Sequence, residues 1–101
     1  MTWKIEWDDR ARKELRQLDR QAQRNILKYL RERIATTEDP RRFGKQLGGD
    51  KWGLWRYRVN TYRIICRIED EHFIVLVVRV GHRGSIYPKG RAVLQPEPFP
   101  S

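Results

Sequence analysis

WGLWRYRVNTYRIICRIE, residues 52–69, is the stretch that decides how this chain folds. Trp52 to Val59 and Tyr62 to Glu69 both read as strands, and Asn60-Thr61 between them is a compact turn signal. A two-residue loop pairs Val59 with Tyr62, Arg58 with Arg63, Tyr57 with Ile64 and Arg56 with Ile65. Directly paired residues share a face. One face then carries Trp55, Tyr57, Val59, Tyr62, Ile64 and Cys66, and the other carries Arg56, Arg58, Arg63 and Arg67. Like charges placed opposite each other destabilise a sheet, so such a face is tolerated most easily where an anion normally sits. The assignment depends on loop length, because a one-residue slip sends one strand's arginines to the other face.

Working outward, His72 to Val80 reads as a third strand, after a turn at Asp70-Glu71, and Gly81 ends it. It is apolar on both parities: Phe73, Val75 and Val77 on one, Ile74, Leu76 and Val78 on the other. That suits a central strand. Trp3 to Trp7 alternates and reads as a short strand on its free edge, burying Trp3, Ile5 and Trp7. Asp8-Asp9 opens a helix of about three turns with Ala11, Leu15 and Leu18 on its apolar stripe. Asp19 caps a second helix, striped by Ala22, Ile26, Tyr29, Leu30 and Ile34. Residues 36–51 read as a loop with room for a helical turn after Pro40. The fold class is therefore α+β, in the order β-α-α-β-β-β, with a mainly antiparallel sheet and two N-terminal helices packed on one face.

The 101 residues make one domain. There is one cysteine, Cys66, so no internal disulfide and no four-cysteine zinc site can form; on the core parity it is expected to be a small buried hydrophobe. No cofactor is expected, because the sequence shows no phosphate-binding glycine loop, metal-ligand cluster or nucleophile triad. The longest apolar run, Phe73 to Val78, is too short to span a membrane, and the N-terminus lacks a signal-peptide core. Net charge is +9, with 16 arginines against 6 lysines. Arginine is suited to bidentate phosphate contacts and to stacking on bases, so the charge points to nucleic acid, or to an acidic protein that masks such a surface.

After the last strand come His82, Arg83 and Tyr87. In a meander this end lies near Arg63, so Arg58, Arg63, His82, Arg83 and Tyr87 are expected to converge on one phosphate. Such a set cleaves RNA without metal: one group takes the 2′-OH proton, arginines stabilise charge on phosphorus, and one group protonates the 5′-oxygen. The plain structural alternatives are a turn histidine at His82, a core-edge cover at Tyr87, and an Arg67 that pairs with Glu69 or Glu71. Trp52 and Trp55 read as core or rim.

The chain resembles the RelE toxins of the RelE/ParE superfamily, the toxin half of bacterial and archaeal toxin–antitoxin pairs. The resemblance covers about residues 2–87. It rests on Trp7-Asp-Asp-Arg-Ala-Arg-Lys-Glu-Leu15, Gln46 to Gly49, Tyr62-Arg-Ile-Ile65, and Val78-Arg-Val-Gly-His-Arg83 followed by Tyr87. It implies a toxin domain over residues 1–87; the four prolines of 88–101 read as an irregular tail, a departure from members that close with a C-terminal helix. It also implies a cytoplasmic, ribosome-dependent endoribonuclease that cuts the A-site codon and leaves a 2′,3′-cyclic phosphate and a 5′-OH. By this resemblance Arg63 and Arg83 stabilise the transition state and Tyr87 stacks on the mRNA, with a part in proton transfer. Arg56 and Arg58 stand where the best-known member has lysines. An arginine stays protonated and is a poor general base, which makes His82 the alternative base. Arg56, Arg58, Arg67, Lys45 and Lys51 are the expected contacts to mRNA and ribosomal RNA. The implied partner is an acidic RelB-like antitoxin in a hetero-oligomeric complex; the lack of a closing C-terminal helix leaves Ile74, Leu76 and Val78 without an obvious cover, and the antitoxin is expected to dock there. The competing readings are a ParE-like gyrase inhibitor of the same fold and a silent RNA-binding module.

Overall fold

The computed structural model describes residues 2–47 and 53–82. Two strands, β3 (Leu54–Val59) and β4 (Tyr62–Glu69), form the expected hairpin in the expected register, including Arg58 opposite Arg63. Asn60 takes φ 56, a left-handed conformation that asparagine tolerates better than most residues. The full order is β1 (Lys4–Trp7), α1 (Asp9–Arg16), α2 (Arg20–Tyr29), β2 (Lys45–Gln46), β3, β4 and β5 (Ile74–His82). The sheet runs β1-β5-β4-β3-β2, parallel between β1 and β5 and antiparallel elsewhere.

The helices start where short acidic side chains accept orphan amides. Asp8 accepts from the Arg10 N–H, and Asp19 accepts from the Ala22 N–H at 2.7 Å. α1 has 8 residues, about two turns and not three. It stops before Leu18 because the second cap at Asp19 needs extended backbone (φ −67, ψ 164). α2 runs into a π-helical turn, Leu30–Ile34, that keeps Leu30 and Ile34 on the buried stripe. Ala11, Leu15, Ile26, Leu30 and Ile34 pack on Tyr57, Ile64, Cys66, Val75, Val77 and Val80 of the sheet. Each fully buried aliphatic side chain here is worth about 1.5–3 kcal/mol of transfer free energy.

Three details depart from the sequence reading. The 36–51 segment holds the anticipated turn, a 3-10 helix at Pro40–Phe43, but Lys45–Gln46 then pairs with β3 as a fifth strand. The last strand starts two residues later than expected, because a 3-10 turn at Asp70–His72 and a left-handed Phe73 (φ 54) come first. It also pairs through Gly81 and on to His82. Most consequential is a bulge at Val78: Cys66 pairs with Val77 and Ile65 with Arg79. The inserted residue reverses parity beyond it, so Val80 enters the core.

A candidate phosphate-binding face

The outer face of the β2-β3-β4 ribbon faces away from both helices. Its cations are set by pairing: Lys45 beside Arg56, Arg58 beside Arg63, and Arg67 beside Leu54. Arg63 is only 6% exposed. One of its Nη atoms donates to the Tyr62 carbonyl at 3.5 Å, while its buried Nε has no hydrogen-bond partner. The buried Nε of Arg67 has none either. Among the described residues no carboxylate lies within 4.0 Å of Arg58, Arg63 or Arg67. The ion pairs form elsewhere: Asp39 and Asp70 on Arg41, Glu14 on Arg79, Glu69 opposite His72. Arg67 is thus not held by Glu69. A guanidinium removed from water without a counter-charge is costly, and an arriving phosphate oxygen supplies both the charge and the missing acceptors.

His82 does not join this set. The Val78 bulge turns it to the other face, where it pairs with Tyr62 and its ring lies 4.4 Å from the tyrosine ring. The expected convergence rested on the meander bringing this strand end near Arg63; Gly81, not His82, is the residue paired with Arg63, and the bulge puts His82 on the opposite face. Arg83, Tyr87 and Lys51 lie outside the described residues, as do Trp52 and the proline-rich tail. Ile74, Leu76 and Val78 are half-buried on the arginine-side face. Val78 packs with Leu47 against Leu54 and Ile65, so an apolar strip flanks the cations. Cys66 is fully buried, as expected, and burial pushes its thiol pKa up. Trp55 is half-buried at the rim with the Arg41 guanidinium 5.9 Å over its ring.

The sequence reading missed two features. Glu14 of α1 reaches the sheet, accepting from the Val80 N–H at 2.8 Å and from Arg79 Nε at 2.9 Å. Arg41 pairs with Asp70, tying the Pro40–Phe43 turn to the β4–β5 connection. Both contacts join residues far apart in sequence, and no local spacing announces them. Among the described residues no helix is long and apolar enough to cross a membrane. No group of three or more His, Cys, Asp or Glu side chains suited to a metal ion occurs among them either.

A family model described as the ParE toxin of the type II toxin–antitoxin system parDE matches residues 5–87. Toxin RelG of Mycobacterium tuberculosis is 43% identical over 51 residues, 50% of this chain and 59% of that toxin. The match therefore spans less than two thirds of that relative's length. Among solved structures, the RelBE2 toxin–antitoxin complex of M. tuberculosis aligns at TM-score 0.73 and 28% identity, covering 84% of this chain and 95% of that one. Free E. coli RelE carrying two arginine-to-alanine substitutions aligns at 0.71 and 25%, covering 94% and 98%. The intact E. coli RelBE complex aligns at 0.66 and 28%, covering 79% and 95%.

Proposed function

This chain belongs to the ParE toxin family of type II toxin–antitoxin systems and has a RelE-like fold, and from that premise we propose that it is a ribosome-dependent mRNA endoribonuclease. The observation that carries the proposal is that Arg58, Arg63 and Arg67 share one face with no carboxylate within 4.0 Å among the described residues, Arg63 being buried with its Nε unpartnered. Donors fixed before the substrate arrives need no reorganisation as charge builds on phosphorus. In the proposed step the mRNA 2′-oxygen attacks the adjacent phosphorus and the bond to the 5′-oxygen breaks. One proton leaves the 2′-OH and one reaches the 5′-oxygen, giving a 2′,3′-cyclic phosphate and a 5′-OH. Arg63, Arg58 and Arg83 stabilise the charge; Arg56, Arg67, Lys45 and Lys51 hold the flanking RNA. Neither Arg56 nor Arg58 can act as base, and His82 faces Tyr62, so proton transfer falls to Tyr87 on the family resemblance.

The proposed partner is an acidic RelB-like antitoxin. RelB-type partners accompany the toxins in the M. tuberculosis and E. coli complexes that this fold resembles. The proposed location is the cytoplasm, where ribosomes are.

The family model's own description favours a second reading, a ParE-like gyrase inhibitor without nuclease activity. Primer extension on programmed ribosomes separates the two. The expected result is new 5′ ends in the A-site codon, absent without ribosomes and reduced at least about 100-fold by Arg63→Ala. Intact mRNA together with inhibited DNA supercoiling would replace the nuclease with the gyrase inhibitor.

A further inference from the structure

The 3-10 turn Pro40–Phe43 and β2 lie at the β2 rim of the sheet. Phe43 is 39% exposed there, and the groups over its ring are cations: Arg33 Cζ at 5.7 Å and Arg42 Cζ at 6.0 Å. One groove is lined by this ring, and a second is lined by Arg33, whose guanidinium lies over it. One, about 300 Å³, is lined by Phe43, Gly44, Lys45, Arg56 and Arg58 and opens onto the arginine face. The other, about 460 Å³, includes Arg33, Lys28, Asn25 and Asn60 and lies between α2 and the β3–β4 hairpin. Its carboxylate, Glu32, pairs with Arg31 at 3.8 Å.

The platform under Phe43 is firmly tied. Asp39 accepts from the Arg41 N–H at 3.1 Å, and the Tyr57 hydroxyl donates to the Pro40 carbonyl at 2.8 Å. Gly44 lets the turn lie directly on β3, since a Cβ there would stand 2.9 Å from the Tyr57 ring and 3.1 Å from the Arg56 carbonyl. An exposed aromatic ring set among cations and lining a basic groove has the composition of a surface for single-stranded nucleic acid. Bases stack on the ring and phosphates lie on the cations. A protein partner docking through Phe43 would instead call for apolar neighbours around it.

We propose that this rim is a binding track for single-stranded RNA, with Phe43 stacking one base and Arg33, Arg42 and Lys45 taking the adjoining phosphates. The track rests on the nuclease reading and extends it: it says where the strand runs once it leaves the arginine face. The test is fluorescence anisotropy of the full chain with a labelled single-stranded RNA made uncleavable by 2′-deoxy substitution, titrated at several salt concentrations. Phe43→Leu keeps apolar bulk and removes the π face; it is expected to weaken binding about tenfold, with Phe43→Trp restoring it. Its salt slope should match the parent's, because no charge is lost, whereas Arg33→Gln should lower the slope by about one.

Equal binding by Phe43→Leu and the parent overturns the track; if Arg63→Ala still weakens binding, the arginine face stands alone. A parent that cuts mRNA on ribosomes yet does not bind the probe also overturns the track, and one that neither cuts nor binds overturns both readings. If Phe43→Leu leaves RNA binding intact and weakens only antitoxin binding, the rim is a protein contact and the track is refuted.

Discussion

At the scale of single residues, Arg63 is held where a stability argument would not put it. Its guanidinium is almost wholly out of water, its Nε is unpartnered, and Arg58 stands directly opposite. Like charges across a strand pair are destabilising, and a buried charge lacking a partner is more so. Arg63→Met keeps much of the volume and removes the charge. It is expected to stabilise the fold by about 1–3 kcal/mol while abolishing cleavage. In a chain of this size that is a rise of at least about 4 °C in Tm, measured by a thermal melt beside the primer-extension assay. A lower Tm would make Arg63 a structural residue and remove the main support for the phosphate site. The Arg58–Arg63 pair was legible in the sequence, because strand parity and a two-residue loop suffice to place it. The placement of His82 was not legible, because one bulged residue, Val78, reverses every parity after it.

At the scale of elements, β5 extends past the end of β1, whose last residue Trp7 pairs with Val77. Beyond that point the strand has an edge, and an open edge invites pairing with another chain. Glu14 closes it by accepting from the Val80 N–H while holding Arg79. Glu14→Ala removes the acceptor of that N–H and the Glu14 contact of that guanidinium. The expected cost is about 1–3 kcal/mol in urea unfolding, with self-association appearing in sedimentation velocity. Glu14→Gln keeps an acceptor for Val80 and should lose less. Full stability and a monomeric profile in Glu14→Ala would show that the contact does not protect the edge. The individual helices and strands were legible from periodicity and from the caps Asp8 and Asp19. The Glu14 contact was not, since it is made 66 residues across the sequence, between α1 and β5.

At the scale of the whole molecule, the helices and the core occupy one side of the sheet, and Arg58, Arg63 and Arg67, with no carboxylate within 4.0 Å among the described residues, occupy the other. The strip of Ile74, Leu76 and Val78 adjoins those cations, with Leu76 paired to Arg67. An acidic antitoxin with an apolar stripe would match both. Leu76→Glu should weaken antitoxin binding at least about tenfold by calorimetry while circular dichroism shows an unchanged fold, since Leu76 is only half-buried. Undiminished binding would place the antitoxin on another surface. By itself the sequence determined the α+β class, the strand order of the meander, the edge position of β1 and the arginine face. Each follows from short-range rules: alternation, helical spacing, cap chemistry and the length of one turn. Only the tertiary structure decided that Lys45–Gln46 adds a strand, that Phe43 stands exposed on the wall of a basic groove, and that His82 turns away from Arg63. These depend on a bulge and on contacts between distant segments, where packing of the whole core overrides any local preference.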